Sequence, residues 1–169
     1  PDDERVVALL AFADVAAAVQ AAAALRRSLP DVSAIELVLA SGVDLVCESF
    51  SLPRPFAPSA PTVLLVEVSG RAGALERFAD AVASVDGVLD AKVADDPERA
   101  AALWQYRERH TEAIALLGAT HKLDVTLPLG RLASFMDEVR ALVGRARPAA
   151  SVWLFGHAGD GNLHVNITG

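Results

Sequence analysis

Two histidines, His157 and His164, bracket the run Gly156-His157-Ala158-Gly159-Asp160-Gly161-Asn162-Leu163-His164-Val165-Asn166. Its flanks are strand-like, and Asp160-Gly161 favours the positive φ of a tight connection. A chain folded back there brings both imidazoles to the mouth of a hairpin. Neutral imidazoles are good ligands for zinc and similar divalent ions, but a catalytic zinc takes three protein ligands and keeps one open position. Two histidines are an incomplete set, and solvated turn histidines are the alternative. A second group is cationic. Arg107 and Thr111 are four apart and share a helix face, with Arg109 off it. Lys122, Asp124 and Thr126 alternate along one side of a strand, with Leu123, Val125 and Leu127 on the other. The chain has only two lysines, Lys92 and Lys122, so a generic solubilising role is a weak account of Lys122. A guanidinium and an ammonium together would bind a small carboxylate. An amphipathic strand with its polar face in water is the alternative.

Other reactive side chains carry less. His110 and His121 have no partner at a telling spacing and read as packed or solvated. Cys47 lacks an assignable base and reads as a small buried apolar residue. Trp104, Tyr106 and Trp153 read as core or interface residues. Glu36, Glu67 and Asp90 lie in or beside strands and read as solvent-facing.

The elements that must position these groups follow from the apolar pattern. Residues 5–12 form a strand, Asp14 caps an alanine-rich helix to about Leu29, and residues 33–40 form a second strand. A short helix precedes a connection holding Pro53, Pro55, Pro58 and Pro61, which has no interior ladder. Strand 61–70, a helix from about Ala72 to Val85, and strand 88–94 after Asp86-Gly87 complete two strand–helix–strand halves. This is the order of a ferredoxin-like α+β fold, an antiparallel sheet with helices on one face. Asp96-Pro97-Glu98 then starts a long helix to about Leu117. Strand 121–128, helix 129–143, strand 151–155 and a hairpin into 164–168 follow. The expected organisation is a ferredoxin-like half over 1–95 and a second, incomplete α+β unit over 96–169, which carries the motif residues. Both ends look cut: the chain starts on Pro1-Asp2-Asp3 and stops in a strand.

Composition excludes several classes. The chain has 169 residues, 53% of them hydrophobic, with 22 acidic against 15 basic side chains. A net charge of −7 argues against a nucleic-acid partner. No apolar run reaches the roughly 20 residues of a membrane helix, and no basic n-region opens a signal peptide. One cysteine rules out an internal disulfide framework and fits a reducing, cytoplasmic setting.

Taken together, GHAGDGNLHVNI and the upstream WQYRERHTEAI and HKLDVTLPLGRL closely resemble the C-terminal domain of FAD-linked oxidases of the D-lactate dehydrogenase, glycolate oxidase and D-2-hydroxyglutarate dehydrogenase group. The resemblance covers nearly the whole chain, with its distinctive motifs between Trp104 and Asn166. It implies that His157 and His164 are ligands of a divalent metal, zinc by preference, with a glutamate further along as the third. It also implies that Arg107, Thr111, Lys122 and Asn166 contact a small 2-hydroxy acid. The family's Glu-His pair, which supplies the third ligand and the proton acceptor, is not found in these 169 residues, so no catalytic residue is assigned. FAD is expected to be bound mainly by an N-terminal domain of the same parent, with the isolated chain inactive. A non-enzymatic ferredoxin-like module for ligand binding or homodimerisation is the rival expectation.

Overall fold

The computed structural model describes residues 4–70 and 72–169. The Pro1-Asp2-Asp3 start therefore lies outside the described residues. The elements run β1 (Glu4–Phe12), α1 (Val15–Ser28), β2 (Val32–Leu39), α2 (Ala40–Phe50), β3 (Thr62–Gly70), α3 (Ala74–Ala83), β4 (Asp90–Ala94), α4 (Pro97–Glu108), α5 (His110–Ala115), β5 (Thr120–Thr126), α6 (Leu132–Ala146), β6 (Ser151–His157) and β7 (Asn162–Thr168). All seven strands join one antiparallel sheet in the order β4-β1-β3-β2-β6-β7-β5. Its first four strands have the ferredoxin-like order, so the expected α+β class is borne out.

Local signals explain where the helices begin. Asp14 Oδ1 accepts from the Ala17 amide at 2.8 Å, and Asp96 Oδ1 accepts from the Arg99 amide at 2.9 Å. Each satisfies a first-turn donor that has no partner inside its helix. The helix expected over 97–117 is instead broken at Arg109, where ψ flattens to −1° between α4 and α5.

β1 and β3 read as unbroken apolar runs because both of their faces are covered. Val6, Ala8, Leu10 and Phe12 pack with Ala18, Ala22, Leu25, Phe78 and Met136, which come from α1, α3 and α6. Val7, Leu9 and Ala11 pack on the opposite face with Val43, Cys47, Ala100 and Ile114, from α2, α4 and α5. The expected helix layer on one face is thus present as α1 and α3, and a second layer covers the other face. The small residues of α1 let its backbone lie close on the sheet, where dense packing depends on volume match. Cys47 belongs to the second layer; burial raises its thiol pKa, in keeping with its reading as an apolar residue.

Residues 96–169 do not build a separate sheet. Strands β6, β7 and β5 extend the first four through a short β2–β6 pairing of Glu36 with His157, Leu37 with Gly156 and Val38 with Phe155. The division at residue 95 is one of sequence order, crossed by a continuous sheet. No described helix is long and apolar enough to cross a membrane.

Candidate active site: a polar cleft on the second face of the sheet

The second face of β6, β7 and β5 carries two cross-strand rows. Asp124, His164 and Phe155 are register partners in one, and Lys122, Asn166 and Trp153 in the other. The alternation expected for β5 is borne out, since Asp124 and Lys122 share the face of His164 and Asn166 while Val125 turns to the core cluster of α1, α3 and α6. The break at Arg109 lets α4 and α5 each contribute one residue above these rows. Arg107 lies with its guanidinium carbon 4.8 Å from the Phe155 ring centre. Arg107, Thr111, Lys122, Leu123, Asp124, Phe155, His164 and Asn166 line a cleft of about 170 Å³.

All four residues expected to contact a small 2-hydroxy acid therefore line one cleft. Among the described residues, the side chains of Thr111, Lys122 and Asn166 have no hydrogen-bond partner, although Asn166 is 4% exposed. Buried polar groups are ordinarily satisfied, so unused capacity aimed at a cleft is capacity for a ligand. Arg109 sits elsewhere, its guanidinium carbon 4.4 Å from the centre of the Phe50 ring.

The hairpin convergence of His157 and His164 is present: their ring centres are 5.5 Å apart, edge to face. Gly161 makes the connection possible. Its φ is +78°, and a Cβ there would stand 2.0 Å from the Leu127 carbonyl oxygen. Each histidine has a carboxylate at Nδ1, Glu36 Oε1 for His157 and Asp124 Oδ1 for His164, both at 2.5 Å. This leaves each Nε2 without a partner among the described residues. Carboxylate-backed imidazoles presenting Nε2 are the usual form of a metal-ligating histidine, so the donor chemistry fits two positions of a zinc site. Among the described residues no third His, Cys, Asp or Glu completes a cluster.

Glu36 corrects the expectation of a solvent-facing acid. It is 4% exposed, and its second oxygen accepts from Arg107 Nε at 2.6 Å. Ile35, Leu37 and Leu39 face the α1 side of the sheet, which turns Glu36 and Val38 to the other side, where α2, α4 and α5 exclude water. Glu67 is half-buried rather than solvent-facing, accepting from Arg5 at 2.6 Å and from the Trp104 indole at 2.7 Å. Burial raises its pKa, and these hydrogen bonds more than offset the effect, leaving it lowered. Asp90 is exposed as expected.

His110 is packed rather than solvated. It is 1% exposed, both ring nitrogens lack partners among the described residues, and its ring lies 4.9 Å from that of Phe155. Burial, and then the nearby Arg107 charge, lower its pKa from 6.5 to about 4. His121 is exposed.

A separate cavity of about 530 Å³ is lined by Glu4, Glu76, Asp95 and Asp96 together with Arg5.

Comparison with known proteins gives a consistent family. The sequence model described as "FAD linked oxidases, C-terminal domain" matches residues 2–169. D-2-hydroxyglutarate dehydrogenase, mitochondrial, of Danio rerio is 34% identical over 141 residues, 80% of this chain and 26% of the relative. The protein of the same name from Arabidopsis thaliana is 33% identical, over 85% of this chain and 26% of its own length. D-2-hydroxyglutarate dehydrogenase of Stutzerimonas stutzeri is 31% identical, over 81% and 30% respectively. The chain thus spans less than a third of these curated relatives. Among solved structures, alkyldihydroxyacetonephosphate synthase superposes with a TM-score of 0.63 at 13% identity, covering 98% of this chain and 36% of that one. The 4-ethylphenol oxidase of Gulosibacter chungangensis, in complex with isoeugenol, gives 0.60 at 11% identity, over 99% and 39%. At such identities these two share the fold.

Proposed function

The chain belongs to the family of FAD linked oxidase C-terminal domains, and from that premise we propose that it is the substrate- and metal-binding part of a flavin-dependent D-2-hydroxy acid dehydrogenase. The observation that carries the reading is the convergence of Arg107, Thr111, Lys122 and Asn166 on one 170 Å³ cleft with His164 in its wall. Relatives named for D-2-hydroxyglutarate favour a D-2-hydroxy acid as the ligand.

On this reading Arg107 and Lys122 hold the carboxylate, the guanidinium through paired donors and the ammonium as a point charge. The Thr111 hydroxyl and the Asn166 amide supply the remaining hydrogen bonds and fix the acid's orientation, converting encounter into positioning. His157 and His164 would hold a divalent cation, zinc by preference, through Nε2; bound there, it would act as a Lewis acid on the substrate hydroxyl. An N-terminal domain of the parent would mainly hold FAD, which would supply the hydride-accepting chemistry for the α-hydrogen. Residues 1–95 serve as scaffold and 96–169 carry the contacting side chains. By itself the 169-residue chain binds the acid without oxidising it. The single buried cysteine supports a reducing, cytoplasmic setting, and a homodimer would form at the edge strand β4, beside the exposed Leu89 and Val93.

The test is calorimetry of the chain with a D-2-hydroxy acid. The reading expects binding that weakens about tenfold or more in Lys122→Ala, the scale of a lost charge-assisted hydrogen bond. Equal affinity in the wild type, Lys122→Ala and Arg107→Ala would contradict it.

A further inference from the structure

Glu36 touches both halves of the site. Its side chain is 5% exposed, and each oxygen has its own partner: Oε2 accepts from Arg107 Nε at 2.6 Å, while Oε1 lies 2.5 Å from His157 Nδ1. The Arg107 side chain is itself 12% exposed, so the contact is shielded from water. The other histidine is held differently, since its partner Asp124 is 73% exposed and open to competition from solvent. Arg107 spends only Nε on Glu36; both terminal nitrogens stay without protein partners among the described residues.

We propose that Glu36 is a positioning residue that couples the carboxylate-binding cation to the metal-ligating imidazole. By accepting from Nδ1–H of His157 it keeps Nε2 bare as a ligand atom, and by accepting from Arg107 Nε it fixes the guanidinium that faces the acid. The inference rests on the reading of His157 as a ligand and Arg107 as a carboxylate holder. It goes further by making one buried acid the link between them.

The chemistry of an amide replacement makes the link testable. Glu36→Gln keeps the shape but makes the two ends unequal. Arg107 Nε–H can only donate, so the amide oxygen turns to it and the NH₂ group faces His157. An NH₂ group also donates, so Nδ1 must become an acceptor and the ring proton moves to Nε2, the atom a metal needs free. Removing the arginine donor as well, in Glu36→Gln with Arg107→Met, frees the amide to rotate and present its oxygen to Nδ1 again. A carboxylate that fixes the imidazole tautomer is known to matter well beyond its contact energy.

The experiment is ¹⁵N spectroscopy of the histidine rings in this chain at about pH 8, above the ordinary imidazole range, with Zn²⁺ calorimetry as a second arm. The wild type should carry the Nδ1–H form at His157. Glu36→Gln should carry Nε2–H and bind zinc roughly 10- to 100-fold more weakly. The double variant should return to Nδ1–H and recover affinity. An Nε2–H tautomer in the wild type overturns the proposal without any variant having to fold. So does a Glu36→Gln protein that keeps Nδ1–H and zinc affinity within about twofold of the wild type. Zinc binding indifferent to His157→Ala plus His164→Ala sinks the ligand reading itself. Zinc binding that depends on those histidines and not on Glu36 sinks this inference alone.

Discussion

Glu36 on β2 and His157 on β6 stand directly opposite each other in the pairing that joins the two halves of the sheet, with Oε1 of one 2.5 Å from Nδ1 of the other. The seam of the fold and the seam of the site coincide. Because side chains alternate along a strand, a slip of one residue in this three-pair register would turn Glu36 away from both His157 and Arg107.

The two cations of the cleft should separate in their effect on stability. Lys122 is exposed and unpaired, so Lys122→Ala should change unfolding free energy by no more than about 0.5 kcal/mol. Arg107→Ala leaves the buried Glu36 without its guanidinium and should cost about 3 kcal/mol. Urea denaturation of the two variants reads the difference directly. Equal costs would mean that the Glu36–Arg107 contact is not held in solution.

His110 makes stability depend on pH. Its folded pKa of about 4 lies below the ordinary 6.5, so the unfolded chain binds the proton first as pH falls. Its contribution is intact above about 6.5, is lost progressively between there and about 4, and is then exhausted, with a total of roughly 3 kcal/mol. Denaturation midpoints across this range should fall for the wild type and flatten in His110→Phe, which offers no proton site. An unchanged slope in the variant would assign the pH dependence to other groups.

Gly42 and His110 are matched in shape. A Cβ at position 42 would stand 2.4 Å from His110 Nε2, and the His110 ring is 1% exposed and packed 4.9 Å from that of Phe155. Gly42→Ala should therefore cost about 1–3 kcal/mol despite the higher helix propensity of alanine. In Gly42→Ala with His110→Ala most of that steric cost should vanish, giving a clear non-additivity in a double-mutant cycle. Additive costs would place the strain elsewhere.

Trp104 anchors α4 to β3 through its indole N–H and Glu67. Trp104→Phe should keep most of the packing but leave a half-buried carboxylate one donor short, at a cost of about 1–2 kcal/mol. Thermal unfolding measures it, and a Trp104→Phe protein as stable as the wild type would mean that the indole–Glu67 contact is not held in solution.

Much of this is legible in the sequence. Apolar runs at β1 and β3, the caps Asp14 and Asp96, and the Asp160-Gly161 turn act locally, so sequence spacing carries them. Alternation in β5 likewise assigns Lys122 and Asp124 to one face. The helix break at Arg109 has no proline or glycine to announce it. Nor does the expectation of helices on one side leave room for α2, α4 and α5, which bury the face that would otherwise be wet. Glu36 is the sharpest case. Its partners lie 71 and 121 positions away, beyond any local pattern. The one local hint is Val38, an apolar neighbour on the same strand face.

The proposed function requires that the cleft between α4, α5, β5 and β7 hold a small 2-hydroxy acid. The most direct measurement is a ¹H–¹⁵N chemical-shift map of the chain titrated with D-2-hydroxyglutarate. Saturable shifts are expected, centred on the Asn166 side-chain amide and on the backbone around Thr111, Lys122 and His164, and abolished in Arg107→Ala with Lys122→Ala. Shifts that avoid these residues, or that survive the double substitution, would contradict it.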